Sequence, residues 1–168
     1  MKITFFVFLS FVLFSACSSL KLSKEEKEMK LFQVSQNIEN NNFAIKINRA
    51  NPMRGKSIHL TSPYDLTIRN DSAIAHLPFF GRATFAPYGN KNGGIMFAEK
   101  MERYQVTPTP KNDGWNVSFN VSQEIGYSYY FNIIIYREGN SSINVSSPQR
   151  DSITFWGEMK LDSSSKDN

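Results

Sequence analysis

The chemistry that the sequence specifies best belongs to its single cysteine, Cys17. It follows Ser15 and Ala16, and small side chains there fit a peptidase groove that cannot take bulk beside the scissile bond. A cysteine in this place is a candidate for lipidation. Its thiol would carry a thioether-linked diacylglycerol, and the freed amine a further acyl chain such as palmitate. Several chains anchor a protein stably where one does not. Phe14 departs from the aliphatic residue usual at its position of a lipobox, with Leu13 one place earlier.

The other reactive side chains are few. His59 and His76 are the only histidines, and no HxH or HxxxH spacing joins them. With no second cysteine they cannot complete a zinc shell without carboxylates, so no metal is expected. A GxSxG elbow, a P-loop and a dinucleotide glycine pattern are all missing, and with them the usual signs of a cofactor. Asp65, Asp71, Glu99 and Glu102 fall at strand ends and turns, where solvated acids are the ordinary outcome. No catalytic residue is assigned. The alternative, a periplasmic hydrolase, requires a His or carboxylate pair within hydrogen-bond reach in a cleft.

Two further sets of residues have binding chemistry. Leu77-Pro78-Phe79-Phe80-Gly81-Arg82 joins a turn, two aromatics, a glycine and a cation. Phe79, Phe80, Gly81 and Arg82 read either as the rim of a site for an anionic amphiphile or as a tight corner. In the corner, a Phe plugs the core and Gly81 permits close backbone approach. Trp115, Tyr127, Tyr129, Tyr130 and Trp156 could line a carbohydrate or lipid site, or pack within strands. Asp71-Ser72-Ala73 and Asp151-Ser152-Ile153 make Ser72 and Ser152 candidate O-glycosylation acceptors. Five Asn-x-Ser/Thr triplets start at Asn70, Asn116, Asn120, Asn140 and Asn144. Triplets of this kind also arise by chance in Asn- and Ser-rich strands.

These residues are placed by a simple organisation. Lys2 and an apolar run over 3–14 make a signal peptide of residues 1–16, since a membrane span needs ~20 apolar residues. Removing it leaves a more polar chain than the 40% apolar total implies. A net charge of +4, one unit of it from Lys2, is too small to argue for nucleic acid. Residues 17–42 form the anchor, tether and helix. Ser23-Lys24-Glu25-Glu26 has the form of a capping box, Met29, Phe32 and Ile38 give a sparse stripe, and Asn40-Asn41-Asn42 stops the helix.

From Phe43 the apolar period changes to two. About ten short strands follow over 43–160, with turn residues every eight to twelve positions. That spacing predicts a mainly β, single antiparallel sandwich or barrel-like domain, preceded by one N-terminal helix. Among the expected strands are separate runs near Ile58 and Tyr64, and one over 82–88. Residues 161–168 form a polar, disordered tail.

The ordered blocks Pro52-x-x-Gly55, Leu77-Pro78-Phe79-Phe80-Gly81-Arg82, Ala86-Pro87-Tyr88, Gly94-Ile95-x-Phe97, Gly114-Trp115 and Arg150-x-Ser152-Ile153-x-Phe155-x-Gly157, with Tyr64, carry a resemblance. The chain resembles the Bacteroidetes lipoprotein family of domain of unknown function (DUF) 4251. Phe79 stands where that pattern has Tyr. The resemblance implies a cell-envelope protein of mostly β fold and carries no catalytic residue with it. The absence of Asp after Cys17, and of an acidic run there, points to the periplasmic face of the outer membrane. The expected role is a non-enzymatic binding or scaffold module for a small amphiphile or an envelope partner. A cavity lined by Tyr and Trp would favour the first, and a filled core with an outer aromatic patch the second.

Overall fold

The computed structural model describes residues 24–84, 93–123 and 126–161. Cys17, the apolar leader, Ser23 and Ala86-Pro87-Tyr88 lie outside these residues. The helix α1 covers Lys24–Glu39, and Asn41 ends it with a left-handed φ of 49°, a conformation that Asn tolerates better than most residues. Nine strands follow: β1 Asn42–Pro52, β2 Ile58–Arg69, β3 Ser72–Leu77, β4 Ile95–Lys100, β5 Glu102–Pro108, β6 Gly114–Ser122, β7 Ser128–Tyr136, β8 Asn140–Ser147 and β9 Arg150–Met159.

All nine belong to one antiparallel sheet in the order β4-β3-β2-β1-β9-β8-β7-β6-β5. The first and last strands therefore pair at its centre, with Ile45 opposite Met159 and Pro52 opposite Ile153. Its two edges, β4 and β5, are consecutive in the chain and separated only by Met101. Met101 is buried, and its N–H donates to the Asp71 carbonyl at 2.7 Å. Arg103 then takes a φ of 53°, and the register slips between Glu102 and Gln105. One stretch of chain thus leaves β3 and joins β6, so the sheet curls into a nearly closed barrel. A bulge and bend are a common way to turn such a corner.

One division between the expected strands differs in the structure. The runs near Ile58 and Tyr64 are one strand, β2. Its partner register jumps from Tyr64 opposite Ile47 to His59 opposite Arg49. Pro63 sits inside that bulge, where no ladder N–H is required, so the proline does not end the strand. Of the run expected over 82–88, residues 82–84 are described and carry a single bridge between Ala83 and Arg150; the rest lies outside the described residues.

Alternation along the strands sends one side chain in two inward. Phe119 and Phe131 stack with centroids 4.8 Å apart and planes 8° apart. Phe97 of β4 meets Phe131 edge-on at 5.7 Å and Tyr129 at 6.0 Å. Since β4 and β7 are not neighbours in the sheet, these rings meet across the interior. They also hold the seam between β4 and β6, where Gln123 Nε2 donates to the Met96 carbonyl at 3.2 Å.

The helix covers one end of the barrel. Val34 and Ile38, one turn apart, are its buried residues. Val34 rests beside Gly139 in the β7–β8 turn, and Asn37 Nδ2 lies 3.7 Å from Met159 Sδ. Met29 and Phe32 of the expected stripe stay exposed. They lie on a different side of the helix from the pair Val34 and Ile38, which makes the contact.

Tyr104 of β5 packs on Phe119 at 6.4 Å, and its buried hydroxyl has no partner. Burial pushes its phenol up from 10.0 to about 12, and burial raises Tyr129 as well. In the unfolded chain these phenols ionise near 10. Between that pH and about 12 the unfolded chain gives up the Tyr104 proton while the folded chain keeps it, so stability falls as pH rises. Tyr104→Phe is expected to make alkaline unfolding less steep and to raise neutral-pH stability by about 1 kcal/mol, because it deletes an orphaned hydroxyl. Denaturant titrations at several pH values measure both effects.

Candidate functional site

The block that runs from Leu77 to Arg82 follows β3 and turns over the barrel end opposite α1. Leu77 and Pro78 are buried, Phe79 and Phe80 are half-buried against the core, and residues 81–84 are exposed. The block docks on the β8–β9 turn. The Arg82 N–H donates to Asp151 Oδ2 at 3.1 Å, and the Asp151 N–H donates back to the Arg82 carbonyl at 3.0 Å. The Thr84 N–H and hydroxyl both donate to the Gln149 carbonyl, at 2.9 and 3.1 Å. Gly81 lies close to its neighbours. A Cβ there would come within 2.9 Å of Phe79 Cζ and 3.2 Å of Asp151 Cβ.

The cation built into this corner is Arg150, while Arg82 is exposed. The Arg150 guanidinium is held between two rings, 4.9 Å from the Phe79 centroid and 4.5 Å from that of Tyr127. Its Nη1 donates to the Gly93 and Gly94 carbonyls at 3.2 and 3.1 Å, while the buried Nε has no partner. This group ties together β9, the residues after β3 and those before β4. Sequence reasoning about chemistry passed over Arg150. It lies on a strand whose apolar residues, Ile153, Phe155 and Met159, have the opposite parity. The register slip between Val145 and Ser147 brings it inward.

The histidines stand apart. His59 is exposed on β2. His76 leans on the Tyr64 ring at 5.2 Å. Asp65, its partner across the ladder, instead takes the Lys160 ammonium at 2.8 Å. Ser72 opens β3, and its hydroxyl donates to Asp71 Oδ1 at 3.0 Å. A hydrogen bond from Lys100 and that from Ser72 hold the Asp71 carboxyl below its usual range. Ser152 is half-buried on β9, its carbonyl accepting from the Met53 N–H at 3.2 Å. Among the described residues no three His, Cys, Asp or Glu side chains gather as metal ligands would.

The aromatic residues separate by strand parity. Tyr127, Tyr129 and the Phe rings point inward, and Trp115 is half-buried. Tyr130, Tyr136 and Trp156 point outward and are 44%, 38% and 47% exposed. They frame the outer face of β6 to β9. One row across it is Asn120, Tyr130 and Ser146. The next is Ser118, Asn132, Asn144 and Thr154, where Asn144 Nδ2 donates to Thr154 Oγ1 at 3.1 Å. The third is Asn116, Ile134, Ser142 and Trp156, with Arg49 of β1 at its end.

Shallow grooves lie on either side of the middle row. One, of about 460 Å³, holds Tyr130. The other, of about 400 Å³, holds Tyr136 and Trp156. Gly157 gives the second groove a floor. A Cβ there would run into the Lys46 carbonyl oxygen, so β1 and β9 approach closely only because the residue is glycine.

The model of the family described as "Domain of unknown function (DUF4251)" matches residues 25–159, from the helix to the end of β9. The chain belongs to the DUF4251 family. A solved structure shares the fold. It is the crystal structure of a DUF4251 family protein from Bacteroides eggerthii DSM 20697, 15% identical, with a TM-score of 0.61 over 79% of this chain and 88% of that one. None of the curated proteins matches the chain. The corner and the outer face both lie within the DUF4251 region.

Proposed function

We propose that this DUF4251 protein is a lipid-anchored envelope module that binds a partner on the outside of a filled barrel. The observation that carries this reading is the division of its aromatic residues. Within the strands, one set occupies the interior with ring-to-ring contacts, and Tyr130, Tyr136 and Trp156 are left exposed on a single face. A barrel that carries a small amphiphile keeps space inside; here the described rings meet where such a ligand would lie. Large exposed aromatics rimmed by polar groups are a usual mark of contact surfaces.

The anchor rests on Cys17 and the leader before it. Wild-type protein is expected to take up labelled palmitate and fractionate with membranes. Cys17→Ala is expected to lose the label and to leave the membrane fraction or stay unprocessed. Unchanged labelling and fractionation of that variant would falsify the anchor. The outer-face half has its own check. A photo-reactive phenylalanine in place of Trp156 should capture a partner in intact cells, while the same group in place of exposed Ile74 on β3, outside strands β6 to β9, should not. Equal capture at the two positions would overturn it.

A further inference from the structure

We infer that the outer face of β6 to β9 binds an uncharged polysaccharide chain. This rests on the outer-face reading above and names the chemistry of the partner. The first argument is charge. One residue in five of the chain is charged, yet the three rows across these four strands contain none, and the charges beside the two grooves, Glu102 with Arg103 and Glu158 with Arg49, come as one of each sign. Arg49 at the end of one row belongs to β1. A nucleic acid or an anionic surface needs a cluster of Lys and Arg at the contact, whereas each groove sets a single Arg beside a Glu.

The second argument is the kind of polar group. Asn, Ser and Thr side chains each donate and accept, as sugar hydroxyls do. They exchange hydrogen bonds with a polyol without stripping water from an ion. The centres of protein interfaces are instead depleted in Ser. On this face Ile134 is the one aliphatic member of the three rows.

The third argument is the placing of the rings. Tyr130, Tyr136 and Trp156 offer flat apolar faces with a polar tip, which suits the C–H face of a pyranose. Tyr130 and Tyr136 lie six residues apart on β7, a rise of ~20 Å. A single sugar cannot touch both, whereas an extended chain crossing the middle row can, with one groove under each end.

The test is affinity electrophoresis of the full-length protein, solubilised in detergent, through gels cast with a neutral mannan, a neutral β-glucan or the polyanion alginate. At least one neutral polysaccharide is expected to retard the wild type, and alginate is not. Trp156→Ala and Tyr130→Ala should each weaken the retardation about tenfold, in line with the loss of one aromatic contact near the upper end of its range. Trp156→Phe should keep most of it. Both alanine variants should melt as the wild type does, since the replaced rings are exposed.

Failure of both neutral polysaccharides to retard the wild type overturns the inference, as does equal retardation of the wild type and Trp156→Ala. If in either case the residue at position 156 still captures a protein in cells, the partner is a protein; the outer-face reading stands and the polysaccharide falls. Membrane retention of Cys17→Ala removes the anchor and leaves the gel result untouched.

Discussion

Phe131→Ala is expected to lower the unfolding free energy by about 4 kcal/mol, the usual cost of removing a fully buried Phe. Phe131 has no exposed surface and touches rings from three strands: Phe119 at 4.8 Å, Phe97 at 5.7 Å and Tyr129 at 6.4 Å. With Tyr129 it is where Phe97 of β4 meets the opposite wall. The lost transfer energy is therefore joined by a void at the seam, where no strand pairing can draw the walls together. Typical domains have a stability of about 5–15 kcal/mol, so the variant would be marginal. Phe131→Leu, which keeps most of the volume, should cost about half as much. Urea unfolding followed by tryptophan fluorescence measures both, and a loss below about 1 kcal/mol for Phe131→Ala would show that the interior is not packed as described.

Arg150→Ala is the second large effect, about 3 kcal/mol. Two ring faces lose their cation, and the Gly93 and Gly94 carbonyls lose their donor. A desolvated cation–π contact contributes up to about 2 kcal/mol, and a hydrogen bond from a charged group about 1.5–3. These terms overlap, and the side chain's own burial cost offsets part of them. Arg150→Lys keeps the charge but cannot stack a planar group between two rings while also reaching both carbonyls. It should recover less than half of the loss. Full recovery by Lys would show that charge alone matters there. Arg82→Ala, by contrast, should be nearly silent, because only the backbone of Arg82 takes part in the docking.

Much of the fold was legible because alternation is local. Phe43, Ile45 and Ile47 are buried in turn, as are Val117, Phe119 and Val121, and their spacing alone predicts it. The Asn run that ends the helix was legible for the same reason. Register was not. The bulge opposite Asn48 that absorbs Pro63, the slip that turns Arg150 inward and the bend at Met101 all depend on which strand lies alongside. Each breaks the parity from which a single sequence is read.

The candidate site followed the same division. The block from Leu77 to Arg82 stood out as a unit, but its tie to Arg150 joins residues some seventy positions apart. Tyr130 and Trp156 could be suspected of binding. Their placement on one face needed the pairing of β6 through β9. The proposed anchor at Cys17 is the reverse case, because its pattern lies in a few adjacent residues and depends on no register.

The pairing of β1 with β9 also dictates when this domain can exist during its own synthesis. The first strand finds one of its two neighbours only after the last strand has been delivered, and Ile45 and Met159 are separated by almost the whole domain. Long-range closure of this kind is slow, because the entropy of the intervening loop is lost before the contact rewards it. A partly emerged chain therefore has two meanders and no barrel. A polypeptide threaded through a membrane pore must remain extended until its end has passed. Under the proposed export, placing the closing strand last would keep this chain open for that interval.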